Sequence, residues 1–406
     1  MDLGFAIVNS LLYIIAFVFY FHKHKDLNLF SVILLAYVIV SVFGCVIIYQ
    51  GIVSYQLSLF NFLYLFVCVM IFIWPFKYAN FTTSNITVNE NSGIKLLLAI
   101  YFITGTIALI YSIPRAIALS QMDDWNAIRN EYYKDPESVK LYGSAFERLI
   151  KNVYNYLAPF GIVMAVYQFT KKKFNALFAI SLLMVWGANA YCDSTVVASR
   201  SVIVFVALNL VLVFLIFYKY IPPRRRKLIY LIGIGIGIFF VSFLMAVSQS
   251  RFEKDAGDSA LWYLGQSMNV FNQDIMSHMH SYANGKYFFN WFCSWFGIDP
   301  EVNAKALGST HGVQFMTFVG CFYIDFGPIG TLLVSLFMCW FLKNFTKRRH
   351  YYLSDIIVIT YYANWYIHGV LVVGYGQSLG WVMMLIVYLI VKKLEARKKV
   401  RKIIYR

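Results

Sequence analysis

Runs of about 20 apolar residues, each long enough to cross a ~30 Å hydrocarbon core as a helix, recur along the whole chain. Eleven such segments are expected, near 3–21, 29–49, 56–76, 95–114, 149–169, 174–191, 201–218, 228–248, 315–342, 353–373 and 376–391. Polar residues gather instead in two longer connections, 115–148 and 249–314. Within the second, Leu261, Leu264, Met268, Phe271, Ile275 and Met279 recur every three or four residues after Asp258 and Ser259, which can cap a helix. This spacing predicts an amphipathic helix lying on the membrane surface. The first connection has a similar look around Trp125, Ile128, Tyr132 and Tyr133. No repeat or low-complexity linker divides the chain, so one all-α, polytopic membrane domain over 1–406 is expected.

Composition agrees with this pattern: 60% of residues are hydrophobic and 13% charged. The mean hydropathy is +0.64. Charge then supplies an orientation, because short cytoplasmic loops retain lysine and arginine. Alternate connections carry Lys23 and Lys25; Lys77 and Lys95; Lys171 to Lys173; Lys219 and Arg224 to Lys227; and Lys343 with Lys347 to Arg349. The C-terminal tail is also basic. These segments are expected in the cytoplasm and the N-terminus outside. The first span, with no basic n-region or small-residue cleavage site before Lys23, is read as a retained helix. A net charge of +16 is then a matter of topology and anionic lipid, not of nucleic-acid binding. Of six cysteines only Cys192 and Cys293 fall on the outer side, where one disulfide between them is conceivable. No Cys/His spacing marks a metal site.

The outer side nevertheless carries arginines at helix ends. Arg115 follows Pro114, Arg148 and Lys151 open the fifth span, Arg200 opens the seventh and Arg251 ends the eighth. One arginine at an interface snorkels to headgroups. Four on the side that positive charge normally avoids point to a local anionic ligand, and guanidinium grips phosphate bidentately. A lipid diphosphate fits. Gly233, Gly235 and Gly237 in the eighth span read as close helix packing, since no strand or Gly-Lys-Ser/Thr accompanies them. The pair His278 and His280 lacks a third ligand and reads as exposed. Tyr282, Tyr287, Trp291 and Trp295 suit either sugar stacking or interfacial anchoring.

Two stretches carry a resemblance. "STVVASRSVIVF", Ser194 to Phe205, places Ser199 and Arg200 between two spans; "GSTHGVQFMTFVGCFYIDFGPIG", Gly308 to Gly330, sets His311 before a span holding Asp325. With the late outward loop, these resemble the Wzy-type oligosaccharide repeat-unit polymerases of O-antigen and capsule, and more distantly the O-antigen ligases. The chain departs from them at Gly312, where ligases carry Asn, and at Trp262, where some polymerase loops carry glycine.

The resemblance implies a GT-C-like glycosyltransferase in a bacterial inner membrane, working at the periplasmic face without cofactor or metal. A glycan on undecaprenyl diphosphate would pass to a sugar hydroxyl of an incoming lipid-linked repeat unit. Arg200 and Arg251 would neutralise the departing diphosphate, with Arg115 and Arg148 as further anion contacts. His311 would take the acceptor proton, with Glu253 and Asp274 as alternatives. Asp325 would orient Arg200 or line a polar cavity, or else it and Tyr323 would form a structural hydrogen bond with a neighbouring helix. Membrane lipids, a chain-length regulator and a flippase are the implied partners. The competing classes are a flippase for the same lipid-linked oligosaccharide and a ligase or acyltransferase acting on outward-facing glycans.

Overall fold

A computed structural model of the chain describes residues 1–81, 85–120, 143–196, 200–231, 233–235, 256–299, 302, 307, 315–371 and 378–396. These residues are mainly helical, and seven helices among them are long and apolar enough to cross a membrane. They are α1 (Asp2–His24), α2 (Leu29–Tyr49), α3 (Leu59–Ile73, continued by a 3-10 turn Trp74–Tyr78), α4 (Ser92–Ser120), α5 (Ala145–Gln168), α6 (Ala176–Val196) and α10 (Thr317–Thr346). Together with the composition, they are the helices of a multi-pass membrane protein. Four expected spans are not among the seven. Residues 201–218 form α7 (Arg200–Phe217), whose described apolar part is the shorter Val206–Tyr220. The segment 228–248 is helical where it begins, and its later part lies outside the described residues. The last two are α11 (Leu353–His368), which at 16 residues falls short of the ~20 needed to span, and α12 (Ser378–Ala396). Two further helices are α8 (Ala256–Val270), which runs on into a π-helical turn, Phe271–Ser277, and the short α9 (Asn290–Trp295).

The chain divides into two compact units. Unit 1 comprises Met1–Asn80, Phe252–Arg348 and Tyr362–Val382; unit 2 comprises Phe81–Arg251, Arg349–Tyr361 and Met383–Arg406.

In unit 1, α2 starts on a capping box: the Asn28 side chain accepts from Ser31 N, and the Ser31 hydroxyl accepts from Asn28 N. Against α2 lies α8, so close that a Cβ on Gly265 would stand 2.5 Å from the Phe43 carbonyl oxygen. Only glycine permits that approach, and it brings carboxamides within reach of backbone. Asn269 donates to the Gly44 carbonyl at 3.2 Å, Ser267 to that of Val370 at 2.7 Å and Asn272 to that of Ser58 at 2.7 Å. This corrects the surface-helix expectation for 258–279. The polar face of that segment is turned inward, with Gln266, Ser267, Asn269, Asn272 and Asp274 all buried. The amides of Asn269 and Asn272, which donate to backbone carbonyls, need no water. Among the described residues nothing stands within 4 Å of where a Cβ on Gly233 or Gly235 would go, and Gly237, the third glycine of the expected packing, lies outside them.

The second feature of unit 1 is a break in α10. Gly327 adopts φ 65° and is followed by Pro328. Proline has no N–H, so the carbonyl four residues earlier, that of Ile324, loses its helical donor. Residues 283–288 replace it: Ala283 N donates to Ile324 O at 2.8 Å and Asn284 N to Asp325 O at 3.0 Å. The Asp325 carboxylate then accepts from Tyr287 N at 2.9 Å and Phe288 N at 2.8 Å. Behind this loop, Phe288 packs on Phe322 and Trp381, and Phe72 stacks on Phe322.

Unit 2 is built on α4, α5 and α6. Gly161 gives way to the ring of Tyr101, which stacks on Tyr154 with centroids 5.5 Å apart. At its lysine-rich end, β1 (Ile86–Thr87) pairs in parallel with β2 (Tyr351–Tyr352). The Glu395 carboxylate accepts from Leu353 N and Ser354 N, supplying acceptors to the first turn of α11. Arg225 donates to the carbonyls of Phe169 and Lys171, pinning the turn after α5.

Replacing Gly265 by valine should abolish the folded, monodisperse protein in detergent, whereas Gly235→Val should leave it intact. Size-exclusion profiles of the two variants check this, and equal profiles would refute the packing assigned to Gly265.

Candidate functional site

Two ion pairs of unit 2, Arg115–Glu147 and Lys151–Asp193, stand at the end of α4, α5 and α6 away from the lysine-rich connections. Ser144 caps α5 by accepting from Glu147 N at 3.1 Å, and Glu147 reaches back to accept from Gly143 N at 2.8 Å. The carboxylate so fixed stands 3.5 Å from the Arg115 guanidinium at the end of α4. One turn further into the helix, Lys151 is buried with its Nζ 3.0 Å from Asp193 Oδ2 and 3.1 Å from Asn189 Oδ1. The Tyr154 ring lies 5.1 Å from the same nitrogen. Asn189 is oriented in turn, its Nδ2 donating to the carbonyls of Gly105 at 3.0 Å and Val185 at 2.8 Å. A buried ammonium is costly unless paired and hydrogen-bonded, and here carboxylate, amide oxygen and aromatic face all serve it. Beside them Ser194 is buried, its hydroxyl unpartnered among the described residues.

The two ion pairs differ in exposure. The Arg115 side chain is 42% exposed and that of Lys151 only 6%. An incoming anion can therefore reach the guanidinium of Arg115, while Lys151 contributes field from within.

Arg148 is exposed on the adjacent position of α5 and forms no ion pair with a described residue. Arg200 is the first residue of α7, and its side chain lies outside the description. Arg251, Glu253 and His311 lie outside the described residues altogether. The inward-facing cation of α5 is thus Lys151 and not Arg148. Sequence reading passes over Asp193 and Asn189, although two polar residues four apart near the end of an apolar span mark one helix face.

In unit 1 the expected residues fall into separate settings. Asp325 holds the loop 283–288 as described above, each carboxylate oxygen accepting a backbone N–H, so its hydrogen bonds run to a loop. Tyr323 sits among the rings of Tyr64, Phe271 and Tyr282, with centroids 5.8 to 6.1 Å away. Asp274 is buried in the π-helical turn, where Gln273 Nε2 donates to it at 3.4 Å. Burial, together with the Asp274 charge, pushes the Tyr55 phenol up to about 12. His278 and His280 are exposed; the Nδ1 of His278 pairs with the Gln273 carbonyl at 2.6 Å. All six cysteines are free. Among the described residues no three His, Cys, Asp or Glu side chains gather as a metal ion would require.

Comparison with protein-family models, curated proteins and solved structures yields no match.

The pairing geometry makes two predictions about stability. Asp193→Ala removes the carboxylate that faces a buried ammonium and should cost on the order of 3 kcal/mol, more than Lys151→Met, which leaves a carboxylate 34% exposed to solvent. Thermal unfolding of both variants tests the order, and a larger loss for Lys151→Met would contradict the burial assigned. Asp325→Asn replaces one acceptor oxygen by a donor facing a backbone N–H, and should cost about 1–3 kcal/mol. An unchanged melting midpoint would remove the clamp role.

Proposed function

We propose that this chain is a membrane glycosyltransferase that polymerises polyprenyl-diphosphate-linked oligosaccharide repeat units, as its resemblance to the Wzy-type polymerases implies. The proposal includes about eleven spans in a GT-C-like arrangement, an inner-membrane location and an N-terminus facing the periplasm. The observation that carries it is the gathering of cations at the end of α4, α5 and α6 away from the lysine-rich loops. Arg115 and Lys151 are each seated on a carboxylate there, and α7 opens with Arg200.

The chemistry follows from what such a transfer requires. The acceptor sugar hydroxyl attacks the anomeric carbon of the donor glycan; the bond from that carbon to the diphosphate oxygen breaks, and the diphosphate lipid leaves with the electron pair. Negative charge grows on the departing oxygen. Cations already held in place by carboxylates stabilise that charge without reorganising at the moment of reaction. Arg200 and Arg251 are assigned to the diphosphate, with Arg115 at the entrance and Lys151 adding potential from behind. The acceptor proton is assigned to His311, because imidazole is the side chain suited to taking a proton near neutral pH.

One observation favours a second reading. A buried Lys–Asp pair inside apolar helices is also what a flippase for the same lipid-linked oligosaccharide would use along its path. The two readings separate by product, because a polymerase lengthens the glycan whereas a flippase only relocates it.

Incubating the purified protein with undecaprenyl-diphosphate-linked repeat units, without added metal, should give a ladder of glycans differing by one repeat. Arg200→Ala and Arg251→Ala should collapse the ladder to single units while the protein inserts normally, and His311→Ala should slow it by at least ~100-fold. Wild-type chain lengths in both arginine variants would eliminate the diphosphate assignment. Translocation in proteoliposomes with no elongation would instead establish the flippase.

A further inference from the structure

At the lysine-rich end of unit 2 a cavity of about 450 Å³ opens between α4 and α5. Its wall is apolar, with Leu98 and Phe102 from α4 facing Met164 from α5. Its mouth is charged, carrying Lys95, and Lys171 in an ion pair with Glu90. Between wall and mouth lies Gln168, 5% exposed, whose Nε2 has no hydrogen-bond partner among the described residues.

Each feature narrows the occupant. An unpaired amide N–H in an apolar setting costs free energy until an acceptor arrives, so the cavity is built for a ligand bearing one. Two ammonium groups against a single carboxylate make that acceptor an anion. Lys95 is exposed at the first turns of α4, and Lys171 is held in place because Arg225 binds its backbone carbonyl. A soluble anion such as a nucleotide would leave the Leu98, Phe102 and Met164 wall bare, whereas an amphiphile covers it. Ile103, on the rim, is 55% exposed on a helix face apolar enough for bilayer, so a chain can enter sideways from lipid.

We propose that this cavity is a binding site for an anionic glycerophospholipid. Its phosphate accepts from Gln168 Nε2 and pairs with Lys95, and one acyl chain lies along Leu98, Phe102 and Met164. Basic pockets between helices are the sites where acidic headgroups are recognised, and here the amide adds a directional contact that a diffuse surface charge lacks. This site goes beyond the polymerase reading and does not depend on it, since it lies at the opposite end of α4 and α5 from Arg115 and Lys151.

The test uses delipidated protein in a neutral detergent. Phosphatidylglycerol, phosphatidylcholine and inorganic phosphate are added separately, with bound lipid counted by native mass spectrometry and stability followed by thermal unfolding. Phosphatidylglycerol should bind in one tight mole per mole and raise the unfolding midpoint, while phosphatidylcholine and phosphate should not. Lys95→Ala should weaken that binding about fivefold, as expected for one basic contact. Gln168→Leu should abolish the lipid-dependent shift yet raise the midpoint of the lipid-free protein, because it removes the unpartnered donor; a misfolded variant would show the reverse. Equal binding of the two lipids would overturn the proposal. So would undiminished phosphatidylglycerol binding by Lys95→Ala and Gln168→Leu, and so would stabilisation by inorganic phosphate alone, which would make the site one for a free anion.

Discussion

Inside a bilayer a backbone carbonyl without a donor has no water to turn to, and Pro328 creates such a carbonyl at Ile324. Much of unit 1 is arranged around meeting that demand. The segment 283–288 exists as an ordered loop because its N–H groups have two carbonyls and a carboxylate to satisfy, and Asp325 is tolerated in an apolar helix because those same N–H groups satisfy it. Pro328 itself passes the strain on, its carbonyl accepting from the Tyr64 hydroxyl at 2.6 Å, so that α3 is tied to the break as well.

Unit 2 solves a related problem with charges. The groups that hold its cations are themselves fixed one step further out: Asn189, beside Lys151, by the carbonyls of Gly105 and Val185, and Glu147, beside Arg115, by the first turn of α5. A side chain held in this way keeps its geometry when a ligand arrives, which a merely exposed arginine does not. At the other end Gln168 keeps a buried amide donor with no partner among the described residues.

The spans were legible because apolar length is a property of the chain alone, and seven of the expected segments coincide with long helices within a few residues. The position of α8 was not. Its periodicity revealed two faces, but a row of Gly, Ser and Asn reads equally well as facing water or facing other helices. What decides is the complementary Gly44, a residue far away in sequence. The candidate site shows the same limit at closer range. Arg148 and Lys151 both open α5, and which of them faces inward depends on the rotation of the helix, set by Gly161 against Tyr101. The pairing of Lys151 with Asp193 is a contact between two helices, invisible to any count along one.

Because each unit is assembled from separated stretches of sequence, the order of synthesis has consequences. The groove on α2 at Gly44 must wait for α8, which leaves the ribosome long after α1 to α3 have entered the bilayer. During that interval Asn9 and Asn61, which finally face Met268 and Asn272, confront hydrocarbon. Their burial is thus completed late in synthesis, when α8 and its π-helical turn supply the acceptors that the finished fold places against them.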